Sequence, residues 1–154
     1  MMPDSSQSEF IFVYGSLMAG VRSRVAKTFH AQAEWVGVGR VKGRLYDLGE
    51  YPGLVLGNDE SYVQGQVFRI FNKDILLPFL DEYEGLIPEH PAASEYRREL
   101  ATVQLADHFI NCWMYLYNQA ITDLPLIESG NYLQYLEINP AHQAFLKSLR
   151  ANGE

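Results

Sequence analysis

The stretch EWVGVGRVKGRLYDLG, Glu34 to Gly49, is the part of the sequence that decides the fold. In it, β-branched and aromatic residues alternate with glycine and with charged residues, a pattern typical of a strand with one buried face. Glycine inside a strand marks a bulge or a tight bend, and this strand has three, at Gly37, Gly39 and Gly43. The stretch therefore predicts a strongly curved strand in a sheet that closes into a barrel.

Segments on both sides of this stretch supply the rest of the fold. Apolar, β-rich runs predict further strands: FIFVY, YPGLVLG, YVQGQVFRIF, YRRELATVQL and FINCWMYLYN. The segment GNDES, Gly57 to Ser61, has the composition of a hairpin turn. Apolar spacing and capping residues predict three helices, at Val21–Gln32, Lys73–Gly85 and Asn139–Arg150. Many strands with a few helices favour an α+β domain.

The middle and last helices carry specific predictions at their ends. The middle one is expected to be capped by Asp74 and to stop at Gly85, because glycine readily adopts the left-handed conformation that ends a helix. The last one is expected to begin with Asn139 as cap and Pro140 in its first position. The buried face of the middle helix is predicted to comprise Leu76, Phe79, Leu80 and Tyr83.

Length and composition indicate one compact domain. The chain has 154 residues, of which 47% are hydrophobic and 20% are charged, and a chain of this size can bury a core. Residues 1–9 are polar and are predicted to be disordered, and residues 10–154 are predicted to form the single domain. The formal net charge of −7 argues against a nucleic-acid partner, because phosphate backbones repel an anionic protein.

Cysteine and histidine usage bears on the compartment and on metals. Cys112 is the single cysteine and lies in an apolar run, so we expect a buried structural thiol and a reducing compartment. Neither a signal peptide pattern nor a membrane-spanning apolar run is present, which predicts a soluble, cytoplasmic protein with no membrane partner. The four histidines lack metal-ligand spacing; we expect them on the surface or in loops, and we expect no metal.

The segment VYGSL, Val13 to Leu17, is the first candidate site. A predicted strand runs here into glycine and serine, and such a turn can expose the consecutive backbone amides of Gly15, Ser16 and Leu17. Gly15 would let the backbone approach a ligand closely. The segment therefore predicts an anion site, although an ordinary strand-to-loop turn is favoured from this short segment alone.

The segment LDEYEG, Leu80 to Gly85, is the second candidate site. Glu84 lies in the last helical turn, where the helix dipole opposes a negative charge, and Asp81 and Glu82 are close by. Like charges and partial burial also disfavour ionisation, so the sequence predicts a raised pKa for Glu84. A carboxylate of this kind is a candidate general base and acid. A solvated acidic helix end is the alternative.

Four motifs together resemble one known family. FVYGSL, YPGLV, LDEYEG and YRRELATV, in this order, are similar to the γ-glutamylcyclotransferase family over roughly Phe10 to Tyr117. The pair YGSL and LDEYEG is more specific than either motif alone. YGSL also resembles the γ-glutamylamine cyclotransferase-like members more than the YGSN of the glutathione-pathway branch.

The resemblance implies a fold, a reaction and a set of site residues. It implies a mostly antiparallel, barrel-like α+β fold, and an enzyme without cofactor that cyclises a small γ-glutamyl substrate to 5-oxoproline and releases an amine. It implies that Glu84 is the catalytic acid and base, and that the YGS loop holds the α-carboxylate end of the substrate. The substrate-binding residues that it implies are Tyr14, Gly15, Ser16, Leu17, Pro52, Gly53, Tyr96, Tyr115 and Tyr117.

Two further functions fit the same residues at this point. The same fold could act as an amide hydrolase or transferase on another small acidic metabolite, or it could bind a small molecule without turnover. The sequence does not distinguish whether Tyr115 or Tyr117 faces the pocket, and it does not indicate the leaving amine or the oligomeric state.

Overall fold

The computed structural model of the chain describes residues 8–18, 23–57 and 60–153, without the side chains of 149–153. The strands in this part are β1 Phe10–Val13, β2 Ala33–Asp47, β3 Pro52–Leu56, β4 Tyr62–Ile70, β5 Tyr96–Leu105, β6 His108–Tyr117 and β7 Leu126–Ile127. The helices are α1 Arg24–Ala31, α2 Lys73–Tyr83, α3 Tyr132–Leu136 and α4 Pro140–Gly153. A short 3₁₀ turn, Pro91–Ala93, interrupts the loop before β5.

Five strands close into a barrel. The order is β2-β4-β1-β6-β5, and β5 pairs back onto β2 through Arg40 and Gln104. The pairings are antiparallel except that β1 runs parallel to β6, with Ile11 opposite Trp113. Strands β3 and β7 pair with the far end of β2, outside the ring. The predicted α+β fold with a mostly antiparallel, closed sheet is therefore confirmed.

Strand β2 joins the ring to its extension. Its first part pairs with β4 and its last part, from Gly43, pairs with β3. The register with β4 shifts between Trp35 and Gly37, which confirms a bulge beside Gly37 but not at Gly39 or Gly43, since both pair in regular register. This one bulge bends β2 because the extra residue increases the local twist of the strand.

The core fills the barrel with side chains from all of its strands. Val63, Val67, Val103, Cys112 and Met114 are completely buried in it. Burial raises the pKa of the Cys112 thiol to about 12, so it is protonated at neutral pH and unreactive, as a structural thiol should be.

Helix α2 differs from its prediction at its start and on one face. Asn72 is the cap, because its side-chain oxygen accepts from the Asp74 amide at 3.2 Å, and Asp74 lies inside the first turn. The buried face includes Leu77, and Phe79 points outward with 40% of its surface exposed. The helix ends as predicted, with Gly85 at φ +75°, a conformation that glycine adopts without a steric penalty.

The remaining helices frame the barrel. Ser23 caps α1 through the Ala26 amide at 3.0 Å, and the predicted residues Val21 and Arg22 lie outside the described part. Asn139 caps α4 by accepting from the His142 amide at 3.0 Å, as predicted. Residues 1–7 and the centre of the GNDES turn also lie outside the described part. None of the helices in the described ranges is long and apolar enough to cross a membrane.

A buried polar network ties α4 to the end of β2. The His142 ring donates or accepts at 2.7 Å with Asp47 and at 2.8 Å with the Tyr132 hydroxyl, and the Tyr135 hydroxyl donates to Asp47. His142 is completely buried, so the expectation of a surface or loop histidine is wrong at this position. A buried polar group of this kind is costly unless it is partnered, and here both ring nitrogens are partnered.

Candidate active site

A cavity of about 140 Å³ opens where β1 ends and α2 stops. A concave site lined mainly by aromatic and apolar side chains, with a few polar groups, is typical of small-molecule binding. Fourteen residues line it: Phe12, Val13, Tyr14, Gly15, Ser16, Leu17, Tyr51, Pro52, Tyr83, Glu84, Glu95, Tyr96, Tyr115 and Phe145. The two sequence motifs, which are more than 60 residues apart, therefore line one cavity.

The loop after β1 forms one side of this cavity. Its turn is closed by the Met18 amide, which donates to the Gly15 carbonyl at 3.1 Å. The Ser16 hydroxyl lies 3.0 Å from the Tyr83 hydroxyl, which joins the loop to α2. A Cβ atom on Gly15 would lie 3.1 Å from the Pro52 ring, so a larger side chain at this position would crowd Pro52.

Glu84 lies at the C-terminal cap of α2 and lines the cavity. It is half-buried, and its carboxylate forms no hydrogen bond or ion pair with another residue of the described ranges. Burial, and to a smaller extent the charges of Glu95 and Asp81, raise the pKa of Glu84 to about 8. The predicted direction of this shift is confirmed. A carboxyl with such a pKa can exchange a proton near neutral pH.

The other carboxylates of LDEYEG have different surroundings. Arg98 binds Asp81 with two hydrogen bonds, at 2.8 and 3.1 Å, and the Tyr115 hydroxyl donates to Asp81 at 2.7 Å. Glu82 is exposed to solvent and lies outside the cavity lining. Glu84 is therefore the member of this motif with a free carboxylate at the cavity.

Three tyrosine hydroxyls around Glu84 are held by the backbone or by Asp81. Tyr14 donates to the Tyr115 carbonyl at 2.6 Å and accepts from the Leu54 amide at 3.3 Å, so it bridges β6 and β3. Tyr96 donates to the Pro52 carbonyl at 2.7 Å. Burial, followed by nearby negative charges and neighbouring phenols, raises the pKa of Tyr14, Tyr96 and Tyr115 above the usual value. These phenols therefore stay protonated at neutral pH.

The structure separates the two candidate tyrosines of β6. Tyr115 lines the cavity, whereas Tyr117 lies two residues further along the same face and packs over Gly53. Gly53 and Tyr117 are the predicted binding residues that do not line the cavity. The other predicted residues, including Glu84, are brought together there, and their contact with substrate stays a prediction.

Sequence reasoning missed a second carboxylate in the cavity. Glu95 accepts from the Tyr51 hydroxyl at 2.6 Å, and the Tyr51 ring lies 5.2 Å from the ring of Phe145 in α4. Glu95 and Tyr51 directly precede the predicted residues Tyr96 and Pro52 in sequence, which is the one signal that could have indicated them.

The described residues offer no metal centre. Across the ranges 8–18, 23–57 and 60–153, no three His, Cys, Asp or Glu side chains are grouped so that they could hold an ion. The chemistry that these residues can themselves supply is proton transfer from Glu84, together with hydrogen bonding and shape.

A family model matches most of the chain. Residues 11–134 match the model described as gamma-glutamyl cyclotransferase, AIG2-like. A Citrobacter rodentium protein named gamma-glutamylcyclotransferase family protein ytfP is 35% identical over 130 residues, which cover 80% of this chain and 94% of that protein.

Solved structures share the fold. The solution structure of Escherichia coli protein ytfP is 33% identical, with a TM-score of 0.56, over 82% of this chain and 97% of that one. The crystal structure of an AIG2-like protein from Mus musculus has a TM-score of 0.62 at 24% identity, over 92% of this chain and 93% of that one. The second likeness supports the fold alone.

Proposed function

The chain belongs to the gamma-glutamyl cyclotransferase, AIG2-like family, and from this membership we propose that it cyclises a γ-glutamyl amide to 5-oxoproline and releases an amine. The observation that carries the proposal is that Glu84, with a pKa of about 8, and the loop at Gly15 to Leu17 line the same small cavity. No feature of this cavity among the described residues favours amide hydrolysis over cyclisation.

The reaction depends on orientation. In a γ-glutamyl amide, the α-amine and the γ-carbonyl belong to one molecule, and folding the chain into a five-membered ring brings the nitrogen against the carbonyl carbon. Intramolecular attack in a well-oriented substrate can supply roughly 7–11 kcal/mol. We infer that the loop after β1 binds the α-carboxylate through its backbone amides, and that the aromatic walls exclude water.

Glu84 transfers the proton between the α-amine and the departing nitrogen. The α-amine is protonated at neutral pH and cannot attack until it loses a proton, which the Glu84 carboxylate takes. Attack by the neutral amine forms the C–N bond of the ring, Glu84 returns its proton to the amide nitrogen, and the amide C–N bond breaks. The second proton leaves the ring nitrogen and passes to the released amine, which departs as an ammonium ion and leaves neutral 5-oxoproline. A side chain that serves first as base and then as acid works best when its pKa lies near the working pH, as it does here.

The products test the proposal. Incubation of the protein with a set of γ-glutamyl amides, followed by mass analysis, is expected to show 5-oxoproline and the free amine in equal amounts. Open glutamate with the amine would instead identify hydrolysis. Saturable binding without either product would identify a binding protein and would overturn the proposed reaction.

The pH dependence of kcat/KM is the second expected result. Because Glu84 must be ionised to take the proton, kcat/KM should fall about tenfold per pH unit below the Glu84 pKa of about 8 and should level off above it. Initial rates of 5-oxoproline release between pH 5 and pH 9 measure this. Glu82→Gln, an exposed neighbour in the same motif, should keep the same profile. An acid limb near the ordinary glutamate pKa would contradict the assigned role.

A further inference from the structure

One end of the cavity combines a carboxylate with two aromatic rings. The Tyr51 hydroxyl donates to Glu95 at 2.6 Å, and the rings of Tyr51 and Phe145 lie 5.2 Å apart with 52° between their planes. All three residues line the cavity. The backbone amide of Glu95 also donates to the Gly85 carbonyl at 3.3 Å, so the main chain at Glu95 lies beside the residue that follows Glu84.

Glu95 has no cation to balance its charge within the residues that the structure describes. Arg98, three positions further along, is committed to Asp81. The Tyr51 hydroxyl donates a hydrogen bond to the Glu95 carboxylate, but it carries no charge. Burial, followed by the hydrogen bond to Glu95, raises the pKa of this phenol above its usual value, so it stays neutral. A half-buried carboxylate that lacks a counter-ion attracts a positive ligand.

Phe145 reaches this place from an element beyond the matched part of the family. The family model ends at residue 134, and Phe145 lies in α4, Pro140–Gly153. The buried contact of His142 with Asp47 fixes α4 against the end of β2, and Tyr51 lies four residues after Asp47, directly before β3. Phe145 therefore lies on an anchored helix, about one turn along from His142.

We propose that Tyr51, Glu95 and Phe145 form a subsite for an alkylammonium group of the substrate. A carboxylate supplies the charge complement, and aromatic faces attract an ammonium through their negative π surface. A γ-glutamyl amide has two sources of this chemistry: its own α-ammonium, and a second ammonium at the far end of the leaving amine. The inference rests on the proposed function for the identity of the substrate, whereas ammonium binding can be measured without turnover.

The first test measures binding alone. Ligand-observed NMR titration with n-butylammonium and with neutral 1-butanol compares the wild type with Glu95→Gln and with Glu50→Gln, an exposed carboxylate beside Tyr51 that is outside the lining. We expect the wild type and Glu50→Gln to bind butylammonium at least tenfold more tightly than butanol, and Glu95→Gln to lose this difference. Phe145→Leu, which keeps bulk but removes the ring, should weaken butylammonium by several-fold and butanol little. Equal affinity of the wild type for both probes would overturn the subsite.

The second test locates the ammonium in the substrate. Rates of 5-oxoproline release are compared for the γ-glutamyl amides of n-butylamine and of 1,4-diaminobutane. If Glu95→Gln raises KM tenfold or more for the diamine amide alone, the subsite takes the leaving amine; an equal rise for both amides assigns it to the α-ammonium. No change for either overturns the proposal. If the wild type releases 5-oxoproline neither from these two amides nor from the wider set of γ-glutamyl amides, the proposed cyclisation is wrong, and the NMR comparison still decides the subsite.

Discussion

Glu84→Gln is expected to lower the rate of 5-oxoproline release by about 10²- to 10⁴-fold, the range that a positioned general acid–base contributes. The amide keeps the size of the carboxyl and cannot take the proton of the α-ammonium. The measurement is kcat/KM with a responsive γ-glutamyl amide, by mass analysis of 5-oxoproline. A variant that retains most of the activity would show that another group carries the proton.

The same variant should fold at least as well as the wild type. The pKa of Glu84 in the folded protein, about 8, lies above the ordinary value of 4.5. Because the carboxyl pKa is raised by folding, its contribution to the free energy of unfolding is fully present below about pH 4.5 and is lost as the pH rises through about 8. Because glutamine carries no charge, Glu84→Gln should melt at an equal or higher temperature at pH 8, and the advantage should disappear at pH 4. Glu82→Gln should show normal activity and no such pH-dependent gain.

Gly15→Val is expected to weaken substrate binding by roughly ten- to a hundredfold, a loss of about 1.4–2.8 kcal/mol in binding free energy. Even a single Cβ atom here would lie 3.1 Å from the Pro52 ring. Two further methyl groups must therefore displace Pro52 or enter the cavity beside the loop. Isothermal titration of a γ-glutamyl amide in the Glu84→Gln background measures affinity without consuming the ligand.

Gly15→Ala provides the graded control for this variant. It adds the Cβ atom alone, so its affinity for the substrate should lie between those of the wild type and Gly15→Val. Both variants should keep the circular dichroism spectrum of the parent. Unchanged affinity in Gly15→Val would remove the loop after β1 from the binding site and leave Glu84 without its proposed partner.

Local patterns were sufficient for the features that neighbouring residues determine. Glycine in β2 predicted a curved strand because the missing side chain permits a bulge, and Gly85 predicted the end of α2 because few other residues adopt a positive φ. Glu84 was indicated because a carboxylate opposes the dipole at the end of a helix. The joint placement of Glu84 and the YGSL loop came from resemblance to a family, since nothing local links the two motifs.

Features that depend on distant residues were not accessible in this way. Tyr51 and Glu95 meet across 44 positions, and Asp47 and His142 across 95, so no periodicity connects either pair. The sequence predicts Asp74 as the cap of α2, two residues after the actual cap Asn72, because asparagine and aspartate have nearly equal capping preferences. The prediction that Phe79 is buried is wrong because apolar spacing defines a helix face without specifying which edge of that face meets the barrel.

Tyr14 is a poor position for altering ligand preference, because its hydroxyl makes two hydrogen bonds that support the sheet. One phenolic oxygen ties β6 to β3, so a mutant library that varies this position would lose sheet geometry together with any change in ligand preference. Tyr51 and Phe145 touch the same cavity without joining two strands. Directed evolution towards new amines should therefore randomise these two positions and keep Tyr14 constant.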